Sequence, residues 1–451
     1  MPSLPRPFPA TRATIPIAPR TVTIVSVGAS GDGIGRASDG SRLFVPCALP
    51  GEDVLATVLT SRGGGMAARL ERIDTASPDR IPPACPHFGT CGGCALQHWA
   101  AAPYLAWKAD QLRDALIRAG FADPPAARTV PVAPGTRRRM HLALRRAGPA
   151  IALGLHRARG SDVIDLGACP VLDPALFALL APLRALARGL TALRRAGSVI
   201  ANLVDTGADV LLRTDAELTL PDRQRLAAFA HATDIARLSW ARDDTAPEPV
   251  AARRPPVLTL SGVPVRPPPG AFLQASAAGE AAILAAIMAA LPALTGSVIE
   301  LHAGIGTLTF ALARTARVAA FEADAAAVAA LRGAAGQAGL AGRITATIRD
   351  LAYQPLSRAE LARADAVVLD PPEAGAAAQM PALAEAAPPM VVYVSCNPAT
   401  LARDAALLAR AGYAVDSATP IDQFVWSARV ESVTVFRHPH RTRARADRGR
   451  A

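Results

Sequence analysis

The chain has 451 residues, long enough for two or three cores, and 51% are hydrophobic, which excludes wholesale disorder. Lys and Arg number 48 against 37 Asp and Glu, a formal net charge of +11. That excess suits a polyanionic partner such as nucleic acid, though an Arg-rich composition alone also produces it. No apolar stretch is long enough to span a bilayer, and residues 1–20 carry repeated Pro and Arg without an apolar signal core. A cytoplasmic protein with no membrane partner and a disordered leader over 1–20 is therefore expected.

Residues 21–27 alternate like a strand, followed by Gly28, Gly31, Gly33 and Gly35, which read as turns. Further strands are expected at 42–46 and 54–60. Short strands separated by glycine turns predict a small β-barrel of the oligonucleotide-binding kind over 21–75. Residues 78–83 read as a linker into a cysteine cluster. A helix is expected over 101–119, with Tyr104, Leu105, Leu112, Leu116 and Ile117 on its buried side. Strands follow at 140–144, 151–155 and 163–166. Two more, 199–204 and 210–213, flank Asp205-Thr206-Gly207 as a hairpin, completing an α+β domain over 76–265.

The proline run Pro255, Pro256, Pro264 and Pro267 to Pro269 marks entry to a last domain over 266–438. There, helices at 277–291, 308–313, 325–338 and 400–410 alternate with strands at 298–301, 318–321, 366–369 and 390–395. A closing pair stands at 414–418 and 430–436. This rhythm predicts a Rossmann-like α/β domain, its open, mostly parallel sheet taking ligands at the carboxyl ends of the strands. Residues 439–451 form a basic tail expected to be disordered.

Four groups of residues carry chemistry. Cys85, Cys91 and Cys94 cluster, and Cys169 stands alone before a proline. A large chain without a signal core keeps its thiols reduced, so a ligand set outranks disulfides; four thiolates hold either zinc or an iron–sulfur cluster. His87 within the cluster reads as a packing residue, and Cys47 as a small core residue of the barrel. Gly304 and Gly306 follow the strand at 298–301, where they let the backbone approach a nucleotide-like ligand, and Glu322 ends the next strand, where a carboxylate accepts ribose hydroxyls. Asp370-Pro371-Pro372 leaves a third strand, with Glu373 next instead of the aromatic that amino-group methylation favours. Ser395-Cys396-Asn397-Pro398 ends a fourth strand and opens a helix: Asn397 suits the cap and Pro398 the first turn. The helix dipole is expected to lower the Cys396 thiol from about 8.5. Read alone, Cys396 is equally a buried core thiol.

In order and spacing, Cys85-Pro-His-Phe-Gly-Thr-Cys91-Gly-Gly-Cys94, Cys169-Pro170-Val171-Leu172, Phe272-Leu273-Gln274, Asp370-Pro371-Pro372 and Ser395-Cys396-Asn397-Pro398 resemble the RNA uridine carbon-5 methyltransferases. The likeness is to the iron–sulfur branch acting on 23S ribosomal RNA, and it runs from about residue 21 to residue 437. The barrel, with Phe44-Val45-Pro46 and Leu49-Pro50-Gly51-Glu52, looks like that family's TRAM RNA-binding domain. The resemblance implies transfer of a methyl group from S-adenosylmethionine to carbon 5 of a uridine in ribosomal RNA. It makes Cys396 the nucleophile and Glu431 the base. It further implies that Gln274, His302, Gly304, Gly306, Thr307, Glu322, Asp350 and Asp370 line the cofactor or base pocket. Cys85, Cys91, Cys94 and Cys169 become ligands of a 4Fe–4S cluster, with zinc the lesser alternative, and a monomer is expected. A transfer-RNA enzyme is the rival within the class, although that branch usually lacks the TRAM domain and the four cysteines; a non-catalytic RNA-binding iron–sulfur protein is the rival outside it. The chain departs from the pattern at Glu300, where an aspartate is common, and at His302, where an aromatic is usual. It departs again at Glu373, a frequent arginine, and at Arg429, where many relatives carry histidine.

Overall fold

The computed structural model describes residues 19–37, 39–125, 127–291 and 296–439. The leader and the basic tail expected from the sequence lie outside the described residues, except for their edges at 19–20 and 439. The chain divides into two compact units, one of residues up to 83 with 95–103, the other of 84–94 with 104 onward.

The first unit is a closed barrel of five strands, Arg20–Val27, Gly33–Arg36, Arg42–Val45, Asp53–Arg62 and Gly65–Thr75. The first strand pairs with both the second and the fourth, which closes the circle and leaves no free edge. Alternate residues Val22, Ile24, Leu43, Val45, Val54, Ala56 and Val58 fill its core. Gly33 and Gly35, read above as turns, instead form a strand. A Cβ on Gly35 would lie 2.4 Å from Val22 and 2.6 Å from the Thr23 carbonyl, so close backbone approach is what glycine serves there. Cys47 is not a core residue: it is half-buried in a turn, with φ +61°, and its carbonyl accepts from Arg80 at 2.7 Å.

Glu52 is the barrel's buried charge, with no solvent exposure. Burial favours its protonated form. The Arg80 guanidinium and the Leu49 and Ser77 amides outweigh that and hold the carboxyl below its usual range. Glu52→Ala is expected to cost about 2–4 kcal/mol, less than a fully buried pair because Arg80 keeps some solvent contact. The change reads as a lower urea midpoint with faster amide exchange in the barrel strands.

In the second unit, a seven-stranded sheet runs in the order Glu248–Ala252, Arg237–Arg242, Gly207–Thr214, Ala196–Val204, Arg139–Ala147, Ala150–His156, Val163–Asp165. The expected hairpin is present: Val204 pairs with Gly207 across Asp205-Thr206, and Gly207 takes φ +120°. Helices Pro174–Ala178, Leu180–Gly189 and Leu220–Ala232 pack on the face carrying Met140, Leu142 and Leu144. The helix expected at 101–119 spans Ala101–Arg118, but its buried face is Tyr104, Trp107, Lys108, Leu112, Ala115 and Leu116, while Ile117 is exposed.

The last sheet has seven strands: β1 (Ser297–Leu301), β2 (Arg317–Glu322), β3 (Ile344–Ile348), β4 (Ala366–Leu369), β5 (Met390–Ser395), β6 (Ala414–Ile421) and β7 (Glu431–Arg437). Their order is β3-β2-β1-β4-β5-β7-β6; β1 to β5 are parallel, and β7 runs antiparallel to both neighbours. Successive residues feed two cores. Val298, Val368, Val392 and Val394 face one, while Ile299, Val367, Val391 and Tyr393 face the other. Burial on both faces explains the continuous apolar runs of β4 and β5. This topology brings the carboxyl ends of β1, β2, β4 and β5 to one edge. Among the described residues, no helix is long and apolar enough to cross a membrane.

Candidate active site

The loop after β1 is bent by backbone that few side chains adopt. His302 has φ +64°, Gly304 +55° and Gly306 +101°. A Cβ on Gly306 would stand 2.6 Å from the Phe310 ring, whereas one on Gly304 would meet nothing within 4 Å. The Gly304 amide donates to Glu322 at 2.9 Å, and the other oxygen of that carboxylate accepts from Ala323 and Asp324. One acid thus ties the end of β2 to the glycine loop. Burial lowers the His302 imidazole, and Glu322 and Asp350 oppose that effect, so these three expected residues lie within electrostatic reach of each other. Thr307 is half-buried in the same loop. Asp350 is exposed beyond β3 and accepts from the Ala352 amide at 3.0 Å. A turn with open space over Gly304 and an acid at the end of β2 fits an adenosine-type ligand such as S-adenosylmethionine.

Beyond β4, β5 and before β7, four side chains form one line. Gln274 Nε2 donates to Asp370 Oδ2 at 2.9 Å. Gln423 Nε2 donates to Gln274 Oε1 at 3.0 Å and to Glu431 Oε2. Two neutral amides therefore join two carboxyls. Burial pushes Asp370 up to about 7, against the pull of Gln274. Burial and then the charge of Asp370 push Glu431 up to about 8, against Gln423 and the Ser432 amide. Glu300, buried beneath the glycine loop, is raised to about 8, first by burial and then by Asp370 and Glu322, with Thr309 opposing. Neither Gln423 nor Glu300 is marked as functional by spacing alone.

Cys396 is half-buried at the end of β5. The helix Pro398–Arg410 starts as expected, with Asn397 capping the Ala399 amide at 3.0 Å. The expected fall in the thiol's pKa does not occur. Burial, then Glu431, Asp370 and Glu373, raise it to about 11, against Arg429. Burial, with three neighbouring carboxyls, outweighs one helix terminus whose leading amide is already capped.

The three acids supply a test by pH. Their folded values of about 7 to 8 stand above the ordinary value of about 4, so the folded protein retains protons that the unfolded chain releases. The stability they contribute is complete below about pH 4 and is lost as pH rises through about 7 to 8. The thermal midpoint is expected to fall between pH 6 and 9, and Glu300→Gln to reduce that fall, as read by calorimetry.

A buried ion pair holds the segment that carries Gln423. Lys108 and Asp422 are both buried and paired, Tyr104 donates to Asp422 at 2.8 Å, and the Trp426 amide donates to Tyr104 at 2.8 Å. Lys108 also donates to the Phe424 carbonyl at 3.1 Å. Trp426 sits at φ +58°, a strained conformation that these contacts maintain. Asp422→Ala leaves the ammonium buried without its counter-charge and is expected to cost about 3–5 kcal/mol. Chemical denaturation checks the magnitude, and Asp422→Ala combined with Lys108→Met is expected to recover part of it.

The four cysteines expected as ligands, Cys85, Cys91, Cys94 and Cys169, are half-buried. Burial raises the Cys91 thiol, and Cys169 and Cys85 add to the effect, while the Gly93 amide donates to its sulfur at 3.5 Å. The half-buried Arg137 feels both Cys169 and Cys94. His87 accepts from the Gly167 amide at 3.0 Å, which ties the motif to the loop before Cys169 and agrees with a packing role. Among the described residues, no three His, Cys, Asp or Glu side chains are grouped so as to hold a metal ion.

Comparison with known proteins adds an independent line. Residues 263–438 match the family profile described as tRNA (Uracil-5-)-methyltransferase. An RNA methyltransferase of Caulobacter vibrioides is 41% identical over 92% of this chain and 99% of its own length. The 23S rRNA (uracil(1939)-C(5))-methyltransferase RlmD of Halomonas elongata is 35% identical over 94% of this chain and 90% of its own. In fold, the chain is similar to a Pyrococcus abyssi tRNA (uracil-54, C5)-methyltransferase solved with S-adenosyl-L-homocysteine. The TM-score is 0.68 at 20% identity, over 92% of this chain and all of that one.

Proposed function

Since this chain belongs to the S-adenosylmethionine-dependent RNA (uracil-5-)-methyltransferases, we propose that it methylates a uridine of 23S ribosomal RNA through a covalent bond to Cys396. The observation that carries this reading is the company Cys396 keeps: its thiol stands at the open edge of the sheet, within the fields of Glu431 and Asp370. Those are an electrophile-seeking sulfur and a carboxyl poised near neutrality, the two groups the chemistry requires.

Carbon 5 of uracil is a weak nucleophile. Attack of the Cys396 thiolate on carbon 6 forms an S–C bond and shifts the double-bond electrons toward the carbon 4 oxygen, so that carbon 5 becomes enolate-like. S-adenosylmethionine, when bound, supplies the methyl group that carbon 5 takes. Glu431 then removes the proton left on carbon 5; the freed electrons restore the ring double bond and expel Cys396. A carboxyl at about 8 is a stronger base than an ordinary one, and near neutrality enough of it is ionised to act. Gln423 fixes the orientation of Glu431, and Gln274 that of Asp370. Gly304, Gly306, Thr307 and Glu322, with His302 and Asp350 at the rim, are proposed to hold the cofactor. Carbon 5 is covered in a stacked helix, so the target uridine must be single-stranded or turned out of its stack.

The ribosomal substrate is supported by the likeness to the Halomonas enzyme along nearly the whole chain. A ribosomal RNA substrate implies a cytoplasmic enzyme, with the barrel over 21–75 serving as a TRAM-type RNA-binding domain ahead of the central and methyltransferase domains. Cys85, Cys91, Cys94 and Cys169 are proposed ligands of a 4Fe–4S cluster. Four thiolates suit either zinc or an iron–sulfur cluster, and the family resemblance is what favours the cluster. Methyl transfer has no redox step, so a bound cluster would serve structure or RNA binding. Iron and sulfide analysis of anaerobically purified protein, against zinc, tests that assignment.

The test of the chemistry uses RNA bearing 5-fluorouridine, whose fluorine cannot leave as a proton. Wild-type protein with S-adenosylmethionine and ribosomal RNA is expected to form a stable adduct at Cys396, and Cys396→Ala none. Glu431→Gln, able to attack but not to complete elimination, is expected to accumulate adduct even on ordinary uridine. No adduct from the wild type would exclude the covalent route.

A further inference from the structure

Two residues that depart from the family pattern are partners. Arg429 donates to Glu373 at 2.8 Å, both side chains about half exposed. Glu373 belongs to the loop leaving β4, and its carbonyl accepts from the Asn397 amide group at 3.4 Å and the Thr400 hydroxyl at 3.2 Å. That carbonyl is thus stapled to the turn that follows Cys396. Arg429 lies two residues before Glu431, on the segment entering β7. The ion pair therefore bridges the three stretches that carry Asp370, Cys396 and Glu431.

We infer that Arg429, kept in place by Glu373, is the counter-cation of the Cys396 thiolate, a positioning residue for the nucleophile. The inference rests on the reading of Cys396 as nucleophile. Among the charged groups acting on this sulfur, Glu431, Asp370 and Glu373 disfavour the thiolate and Arg429 favours it. Glu373 has two opposed effects: its own charge raises the thiol, while its ion pair holds the guanidinium that lowers it. Its direct charge is the part that Glu373→Gln removes, because the amide oxygen still accepts from Arg429. An arginine suits this place better than the imidazole common in relatives, since it stays charged at every pH at which a thiolate forms.

The experiment measures iodoacetamide alkylation of Cys396 against pH in the full-length, anaerobically purified protein, with the Cys396 peptide followed by mass spectrometry. Arg429→Gln is expected to move the alkylation midpoint upward by about half a unit to one unit, a shift reduced by solvent exposure of the pair. Glu373→Gln is expected to move it downward, Arg429→Lys to stay nearer the wild type than Arg429→Gln, and the double glutamine variant to return toward the wild type. Anything but opposite shifts from the two single glutamine variants overturns the inference. Trapping with 5-fluorouridine on the same preparations separates the two readings. Adduct formation with coincident midpoints leaves the nucleophile and removes Arg429 from its role; split midpoints without any adduct do the reverse.

Discussion

The site depends on keeping two carboxyls close together inside a protein without letting them repel each other into solvent. Asp370 and Glu431 come from different strand ends; burial raises the cost of ionising both, and the charge of Asp370 raises that of Glu431 further. Gln274 and Gln423 solve this with amides, which donate to both acids yet add no net charge. The result is an acid pair that holds protons near neutrality and can give one up. A lysine or arginine in the place of either amide would hold both carboxylates ionised and weaken Glu431 as a base.

Much of the scaffold was legible because its physics is local. The strands β1, β4 and β5 are buried on both faces, so they read as unbroken apolar runs, and the turns that follow them carry Gly, Pro and Asn where backbone geometry calls for those residues. The cap at Asn397 and the proline at 398 sit where expected. β3 was missed because Ile344–Ile348 alternates with threonine and is short. The helices over 174–189 and 220–232 were missed in a background of Ala, Leu and Arg that repeats on every side. Gly33 and Gly35 misled in the opposite direction, since the need for glycine there comes from the neighbouring strand and not from a turn.

The candidate site was legible residue by residue but not in its electrostatics. Cys396 and Glu431 announce themselves through motif and position, whereas the direction of the thiol's shift depends on carboxyls separated from it in the chain. Lys108 illustrates the same limit. A lysine on a helix reads as solvated, and only its partner, 314 residues away, explains its burial. Gln423 and Arg429 likewise acquire meaning only through what they touch.

That long-range lysine pair has a consequence for the order of assembly. The helix Ala101–Arg118 is synthesised well before the segment holding Asp422, so its ammonium has no counter-charge until the final strands arrive. Closing so large a loop is slow and comes late. A chain cut short before residue 422 would be left with an unneutralised cation on a helix face built for burial.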